Sequence, residues 1–534
     1  MYMKRRILSA LIIICMLFAV VFVRTTYLTT SPRYTGAATA QSSYIISVRD
    51  GRGVIYDRNF TPLVENSPVT KAVVLPSADV AMASEVTGMQ KDELEKLLSG
   101  GKPVLLDVRS TPEVPGIKYV ESNLRYTENQ LLPHIIGHLD AGSEGAVGIE
   151  RSFDDFLSAH GTKSIFQFKV DGKGQLVVGA DAKLDTISDA AGVVLTIDKN
   201  IQEIIEEMGS RLIPKGAVVV LDAETAEIRG IASFPAFSHE SLGKAVADTV
   251  NTPMFNRAFG AYNVGSTFKI AACAAALEDD AGYENFENDC YGNTDVIGKV
   301  FNCHLRTGHG LLDMSGALRE SCNTYFISLG QELGGAKIRL MASDMGYGKA
   351  LTLAPRLTAN GGILPALEQL YNPADVANLS FGQGILLASP LTVANAMRTV
   401  VAGGYYKAPS LVLGKTLDGA KVSEPYENVD GNIQAMSKGT AEKLEQMLID
   451  AVMKNSISPA KPQSGMEVGG KSGTAQTGQR NENGEEILQS WFCGFFPADS
   501  PKYVIAVLYE DGDYKQNRSI PVFREVAEAI GRGS

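Results

Sequence analysis

Ser266-Thr267-Phe268-Lys269 sets a hydroxyl and an amine three residues apart. The residues that follow, Ile270 to Leu277, are apolar and mostly alanine, which predicts a buried helix. Positions i and i+3 share a helix face, so the Lys269 amine can lie beside the Ser266 hydroxyl. A serine hydroxyl is a weak nucleophile until a base takes its proton. Burial can make that base from a lysine, because desolvation disfavours the charged ammonium and lowers its pKa. A second nearby cation pushes the same way. Ser266 also follows Gly265 at the helix start, where backbone N–H groups can hold a developing oxyanion.

The pattern is weak alone. Ser241 to Lys244 and Ser458 to Lys461 repeat it in Gly/Pro-rich loop settings and read as surface coincidences. Company raises the first match. Ser321-Cys322-Asn323 heads a second helical run, Thr324 to Leu329. Ser321 could relay a proton, and Asn323 could hold an amide or the lysine; both types also serve as plain helix caps. Lys471-Ser472-Gly473-Thr474 lies on a strand-like run. Lys471 suits a substrate carboxylate, which the Ser472 and Thr474 hydroxyls can share, and Gly473 lets a ligand approach the backbone. Read as bare composition, the same tetrapeptide is an exposed strand end.

These residues need a scaffold, and 534 residues exceed one ordinary domain. Hydrophobic residues are 45% and charged ones 20%, enough for sizeable cores. A net charge of -11 excludes a phosphate-binding surface for nucleic acid and gives no general pull toward anionic lipid. Lys4, Arg5 and Arg6 precede an uncharged run, Ile7 to Val23, closed by Arg24. That run is near the lower limit of about 17 residues for a membrane span. The basic flank predicts a cytoplasmic tail at 1–6, an anchor at 7–24 and an extracytoplasmic remainder. The small-residue triplet Ala38-Thr39-Ala40 lies too far past the apolar run to suit a signal-peptide cleavage site. Tyr27 to Ser43 reads as a stalk.

The chain is expected to be α+β and multidomain. Residues 25–190 read as a mixed α/β non-catalytic domain, with a strand at Lys71–Leu75 and a helix at Lys91–Leu98. Residues 191–534 open with a strand at Val193–Ile197 and a helix capped by Asp198. Gly216–Leu221 and Glu227–Ala232 form a hairpin, helices follow, and Met466–Lys471, Trp491–Phe496 and Tyr503–Tyr509 return as strands before a helix at Val522–Ile530. That order predicts an antiparallel sheet covered by helices.

Cysteine usage adds little at this level. Cys15 sits in the span, and the other five are too odd a number to pair completely. Cys290 and Cys303 flank a turn and are either bridged or neighbouring buried thiols. There is no CxxC, the six histidines show no ligand spacing, and no metal site is expected.

The three segments occur in the order, and on the elements, of the S-x-x-K, S-D-N and K-T-G set. Cys322 and Ser472 depart from its letters but keep the hydroxyl and amide chemistry. The chain resembles a class B penicillin-binding protein over nearly its whole length. Arg52-Gly53, Asp57-Arg58-Asn59, Gly148-Ile149-Glu150, Asn256-Arg257-Ala258, Tyr262 to Lys269, Lys471 to Ala475 and Trp491 to Pro497 carry the likeness. Val264 stands where the family usually has proline. The resemblance implies a peptidoglycan D,D-transpeptidase with Ser266 as nucleophile and Lys269 as base. Ser321, Asn323 and Lys471 would complete the proton and hydrogen-bond network. Ser472, Gly473 and Thr474 would bind the donor peptide, with the Ser266 and Thr474 N–H groups as oxyanion hole. It implies no metal or organic cofactor. The implied partners are peptidoglycan stem peptides, β-lactams and a separate membrane glycosyltransferase. A D,D-carboxypeptidase or β-lactamase would use the same motifs with water as acceptor. A non-catalytic scaffold would not need them all, and a β-lactam sensor would need more than a six-residue cytoplasmic tail.

Overall fold

The computed structural model describes residues 2–32, 34, 42–65, 67–173, 175–177, 182–427, 431–455, 458–480, 484–512 and 517–533. The triplet Ala38-Thr39-Ala40 lies outside the described residues. The chain divides into two compact units.

The first unit holds residues 1–52, 67–125 and 161–189. Its leading helix, Tyr2–Thr30, is apolar, exposed along its length and long enough to cross a membrane. It outruns the expected 7–24 span at both ends, and in its last turns the Thr25, Thr26, Thr29 and Thr30 hydroxyls donate back to carbonyls one turn earlier. Two three-stranded antiparallel sheets follow, one ordered Ser43–Asp50, Lys163–Lys169, Lys183–Ile187, the other Val104–Asp107, Ser67–Val74, Ile117–Leu124. The helices Val80–Thr87 and Lys91–Leu98 bury Ala83, Val86, Leu94 and Leu98 against Ala72 and Val74.

The second unit holds residues 53–66, 126–160 and 190–534, so the stretch before residue 190 is not one continuous block. The reason is local pairing. Val54–Tyr56 runs parallel to Gly192–Leu195. The buried Asp57 carboxylate accepts from the N–H groups of Asn59, Thr61 and Lys199, which ties the Asp57-Arg58-Asn59 turn to the next helix.

The second unit is built on a five-stranded antiparallel sheet. Its order is Ile228–Phe234, Gly216–Asp222, Tyr503–Gly512, Glu486–Phe496, Gly469–Arg480. Both faces are buried, and the period-2 pleat divides them. Ala217, Val219 and Leu221 join one core with Val504, Ala506 and Leu508. Val218 and Val220 join the other with Ile505 and Val507. The amphipathic helices Lys199–Leu212 and Ser519–Gly533 cover the second face. The first face meets Pro390–Val401 and, deeper, the Lys269–Leu277 helix, in which Lys269 to Ala276 are all buried.

Candidate active site

The hydroxyl and amine of the first motif sit on one helical run. Gly265–Phe268 is a 3-10 turn that continues into the α-helix from Lys269, whose N–H donates to the Ser266 carbonyl. The run is fixed from two sides. Trp491 Nε1 donates to the Asn263 carbonyl at 2.8 Å, and Gln489 accepts from the Asn263 N–H at 2.7 Å. Gly265 has φ +62°, a left-handed conformation that glycine adopts without strain, and its N–H donates to the Gly382 carbonyl at 2.9 Å. A side chain at Gly382 would lie 1.9 Å from the Gly265 carbonyl oxygen, so two glycines allow this contact. The Phe381-Gly382-Gln383 segment gave no signal in the sequence reading.

Lys269 is fully buried, and its amine is held from another part of the chain. Nζ donates to the Ser321 carbonyl at 2.7 Å and to Asn323 Oδ1 at 2.8 Å, and the Ser321 hydroxyl oxygen lies 3.3 Å from it. The Phe326 ring centroid lies 5.3 Å away. Among the described residues the Ser266 hydroxyl has no hydrogen-bond partner, so the amine one turn on is engaged by the second motif and the hydroxyl is left for an incoming group. Ser321 and Asn323 are therefore not merely a helix cap. The N-cap of Asn323–Leu333 is Cys322, without a side-chain capping bond. Ser321 takes φ +54°, an uncommon conformation for a residue with a side chain.

Lys471 lies on the edge strand opposite Cys493, 3% exposed, its Nζ donating to the Ser472 carbonyl at 3.1 Å. Burial pushes the Lys269 amine well below the usual lysine range, and the charge of Lys471 adds to that. Burial lowers Lys471 itself to about 8. Burial thus favours the neutral form more strongly at Lys269 than at Lys471, which stays charged at neutral pH.

Gly473 matters to the packing of the strand on the Ser266 turn. A side chain there would lie 3.0 Å from Thr267 Cγ2 and 3.1 Å from the Val264 carbonyl oxygen. Its bareness lets the strand close on the Ser266 turn. Ser472 is half-buried and Thr474 exposed, on the pleat side opposite Lys471 and Gly473. A side chain on Gly265 would meet the Thr474 carbonyl oxygen at 2.7 Å, so the backbone edge of Thr474 faces the Ser266 turn. Of the repeated motifs, Ser241 ends a short 3-10 turn before the Leu242–Ala247 helix, and Ser458 to Lys461 lie in a loop.

One expectation is corrected. The histidines do enter a potential metal-ligand group: His309 lies with Cys290, Cys303 and Cys322, all four ligand atoms within 4.8 Å of one another. The four come from two hairpins and a helix start, so no close spacing marks them. All six cysteines are free thiols, Cys290 and Cys303 included.

Residues 216–528 match the model of the penicillin binding protein transpeptidase domain. Stage V sporulation protein D of Bacillus subtilis is 27% identical, over 95% of this chain and 82% of its own. The peptidoglycan D,D-transpeptidase MrdA of Haemophilus influenzae is 26% identical, over 89% of this chain and 83% of its own. Two solved structures share the fold. The D,D-transpeptidase domain of a peptidoglycan glycosyltransferase from Eggerthella lenta has a TM-score of 0.65 at 22% identity, covering 90% of this chain and 98% of that one. Penicillin binding protein 3 from Mycobacterium tuberculosis, complexed with aztreonam, has a TM-score of 0.64 at 21% identity, covering 92% and 97%.

Proposed function

Since the chain belongs to the penicillin-binding protein transpeptidase family, we propose that it is a peptidoglycan D,D-transpeptidase acting through Ser266. The observation that carries the residue assignment is the buried Lys269 amine, held by Ser321 and Asn323, with its pKa lowered by burial and by Lys471.

In this reading Ser266 Oγ attacks the carbonyl of the penultimate D-Ala of a donor stem peptide while Lys269 Nζ takes its proton. The backbone N–H groups of Ser266 and Thr474 hold the oxyanion. The position of the Thr474 carbonyl beside Gly265 supports this, because a strand residue points its N–H and C=O to the same edge. The tetrahedral intermediate collapses, the C–N bond breaks, and the proton reaches the departing D-Ala amine by way of Lys269 and Ser321. An amine of a neighbouring stem peptide then attacks the ester and releases Ser266. Charged Lys471 and the Ser472 and Thr474 hydroxyls hold the donor's terminal carboxylate. A β-lactam acylates the same hydroxyl and stays.

The same reading assigns residues 191–534 to the transpeptidase domain and 25–190 to a non-catalytic pedestal. The Tyr2–Thr30 helix is compatible with a single membrane anchor. The basic Lys4, Arg5 and Arg6 support a cytoplasmic N-terminus and an extracytoplasmic catalytic unit. Glycan polymerisation falls to a separate membrane glycosyltransferase.

Fluorescent penicillin labelling of the purified full chain, followed by peptide mapping, tests the assignment. One adduct is expected, on Ser266, and none in Ser266→Ala. An adduct on another serine, or none on folded protein, overturns it. Product analysis with a stem-peptide donor separates cross-linking from hydrolysis.

A further inference from the structure

The Ser266 turn rests on two strands, and their side chains divide the task. Across the pair Gly469–Arg480 and Glu486–Phe496, Gly473 stands opposite Trp491 and Ala475 opposite Gln489. Directly opposed residues share a face of the sheet, so on this face the edge strand is small and its neighbour large. The small side lets the chain come close. A side chain at Gly473 would lie 3.1 Å from the Val264 carbonyl oxygen, and one at Gly265 would lie 3.2 Å from Ala475 Cβ. The large side reaches over to Asn263, three residues before Ser266. Gln489 is 9% exposed and Trp491 fully buried, so neither is a surface group that happens to lie near.

Both polar groups of the Asn263 backbone depend on that reach. Asn263 and Leu387 are opposed in a short antiparallel pairing, Tyr262–Asn263 with Leu387–Ala388. The Leu387 N–H and carbonyl turn the other way, to the Ile363 carbonyl at 3.0 Å and the Ile363 N–H at 2.8 Å. A residue in an antiparallel pair turns both groups to one side, so those of Asn263 point away from Leu387. There they meet side chains where a ladder would supply backbone. Gln489 Oε1 accepts from the N–H at 2.7 Å, and Trp491 Nε1 donates to the carbonyl at 2.8 Å. Side chains from alternate positions of one strand thus complete the pairing of the segment that leads to Ser266.

The consequence is geometric. Thr474 lies between Gly473 and Ala475, and its backbone edge faces the Ser266 turn. Holding Asn263 from Glu486–Phe496 therefore ties Ser266 to the same strand pair that carries Thr474. We propose that Gln489 and Trp491 are positioning residues of the acyl transfer, which act through Asn263 to keep the Ser266 hydroxyl in register with the Thr474 backbone edge. Nucleophile and oxyanion donors then move as one unit. This deepens the transpeptidase reading and rests on Ser266 as its nucleophile. Gln489 isolates the hydrogen bond better than Trp491, whose ring also packs edge-on against Tyr262 at 6.5 Å between centroids.

The test uses the full chain in detergent and stopped-flow penicillin acylation up to saturation, which separates reversible binding from the acylation step. Gln489→Met keeps the length of the side chain and removes the acceptor. It should lower the acylation rate constant about tenfold while the reversible Kd stays within about twofold of wild type. Gln489→Glu still offers the N–H an acceptor and should restore the rate constant to within about threefold. In Gln489→Met the rise of rate with pH should keep its position, because the Asn263 backbone and not the Lys269 amine is disturbed. A wild-type rate constant in folded Gln489→Met overturns the proposal. So does an equal loss in Gln489→Glu, or a displaced pH rise. If Gln489→Met does not fold, Trp491→Phe decides, since it removes the indole N–H: a slower acylation step at unchanged Kd supports the proposal and an unchanged step overturns it. The two failures are distinct. If the transpeptidase reading fails, wild type carries no adduct on Ser266; if only the positioning role fails, the Ser266 adduct forms in the variants at the wild-type rate.

Discussion

Gly216–Asp222 lies inside the main sheet and Gly469–Arg480 at its edge, and they are held in different ways. The inner strand is apolar on both faces, and Ala217 to Leu221 are fully buried. Non-directional burial of area stabilises it, at about 25 cal/mol per Å². The edge strand buries a lysine and three bare glycines, and it closes on a turn whose own glycine has φ +62°. Its neighbourhood contains two desolvated amines, one of which requires named acceptors from a third segment. A burial-driven region tolerates a change of shape at a graded cost. A region of paired buried polar groups tolerates little, because each lost partner leaves another unsatisfied. Substitutions in the inner strand should therefore move stability without chemistry, and those at the edge the reverse.

The largest departure is expected for Lys269→Ala. Loss of the base proposed at Lys269 should lower the second-order rate of penicillin acylation by about 10²–10⁴-fold, read by stopped flow. A rate within tenfold of wild type would mean that another group takes the proton and that the cleft is less specialised than its geometry implies. Gly473→Val comes next. Its new atoms meet Thr267 and the Val264 carbonyl, forcing the strand off the nucleophile turn. A displacement near 1 Å costs about a hundredfold in rate, while the melting temperature should fall only slightly. Unchanged acylation would show that the strand's closeness to Ser266 is incidental.

A smaller effect is expected from pH. Lys269 must be neutral to act as base, and burial lowers its pKa, so the acylation rate should rise through that pKa to a plateau. Lys471 must be charged to hold a carboxylate, and its pKa is lowered to about 8, so the rate should fall above that value. From pH 7 to 9 the loss is about tenfold for a single group of this kind. In Lys471→Arg the falling limb should move upward, since a guanidinium stays charged. A falling limb that stays in place would assign it to a different group.

The same contrast explains what the sequence made legible. A continuous apolar run marked Gly216–Leu221 and Tyr503–Tyr509, because a strand buried on both faces repeats its reason at every residue. Lys91–Leu98 was readable at both ends for the same cause, a leucine pair at helical spacing. The edge strand was placed at Met466–Lys471 but runs from Gly469 to Arg480, since pairing with Glu486–Phe496 and not apolarity defines it. The Ser266, Ser321 and Lys471 segments were legible as chemistry, but not the direction of the Lys269 amine, which depends on a chain reversal at Ser321. Gly382 and the Cys290–Cys322 group were invisible because glycine contacts and scattered ligands have meaning only after distant elements meet. The joining of residues 53–66 and 126–160 to the second unit was hidden likewise, as parallel pairing with Gly192–Leu195 leaves no local trace.

Val219→Ala should have the smallest effect on chemistry and is the sharpest control on the comparison. Val219 has no exposure, pairs with Ile231 on one side and Ala506 on the other, and belongs to the core shared with the Lys269–Leu277 helix. Removing two methyl groups there should cost about 2 kcal/mol of stability, part lost burial and part cavity. That shows as a lower melting temperature or urea midpoint with an unchanged slope. Below the transition the acylation rate should stay within about twofold of wild type, since distant and independent sites add. The prediction is exposed at one point. Val219 and the nucleophile's helix share an apolar cluster, so a cavity that lets the helix settle inward would draw Lys269 from Ser321 and Asn323. A drop of tenfold or more, with folding intact, would show that the sheet sets the amine's position through packing and that the two regions are one mechanical unit.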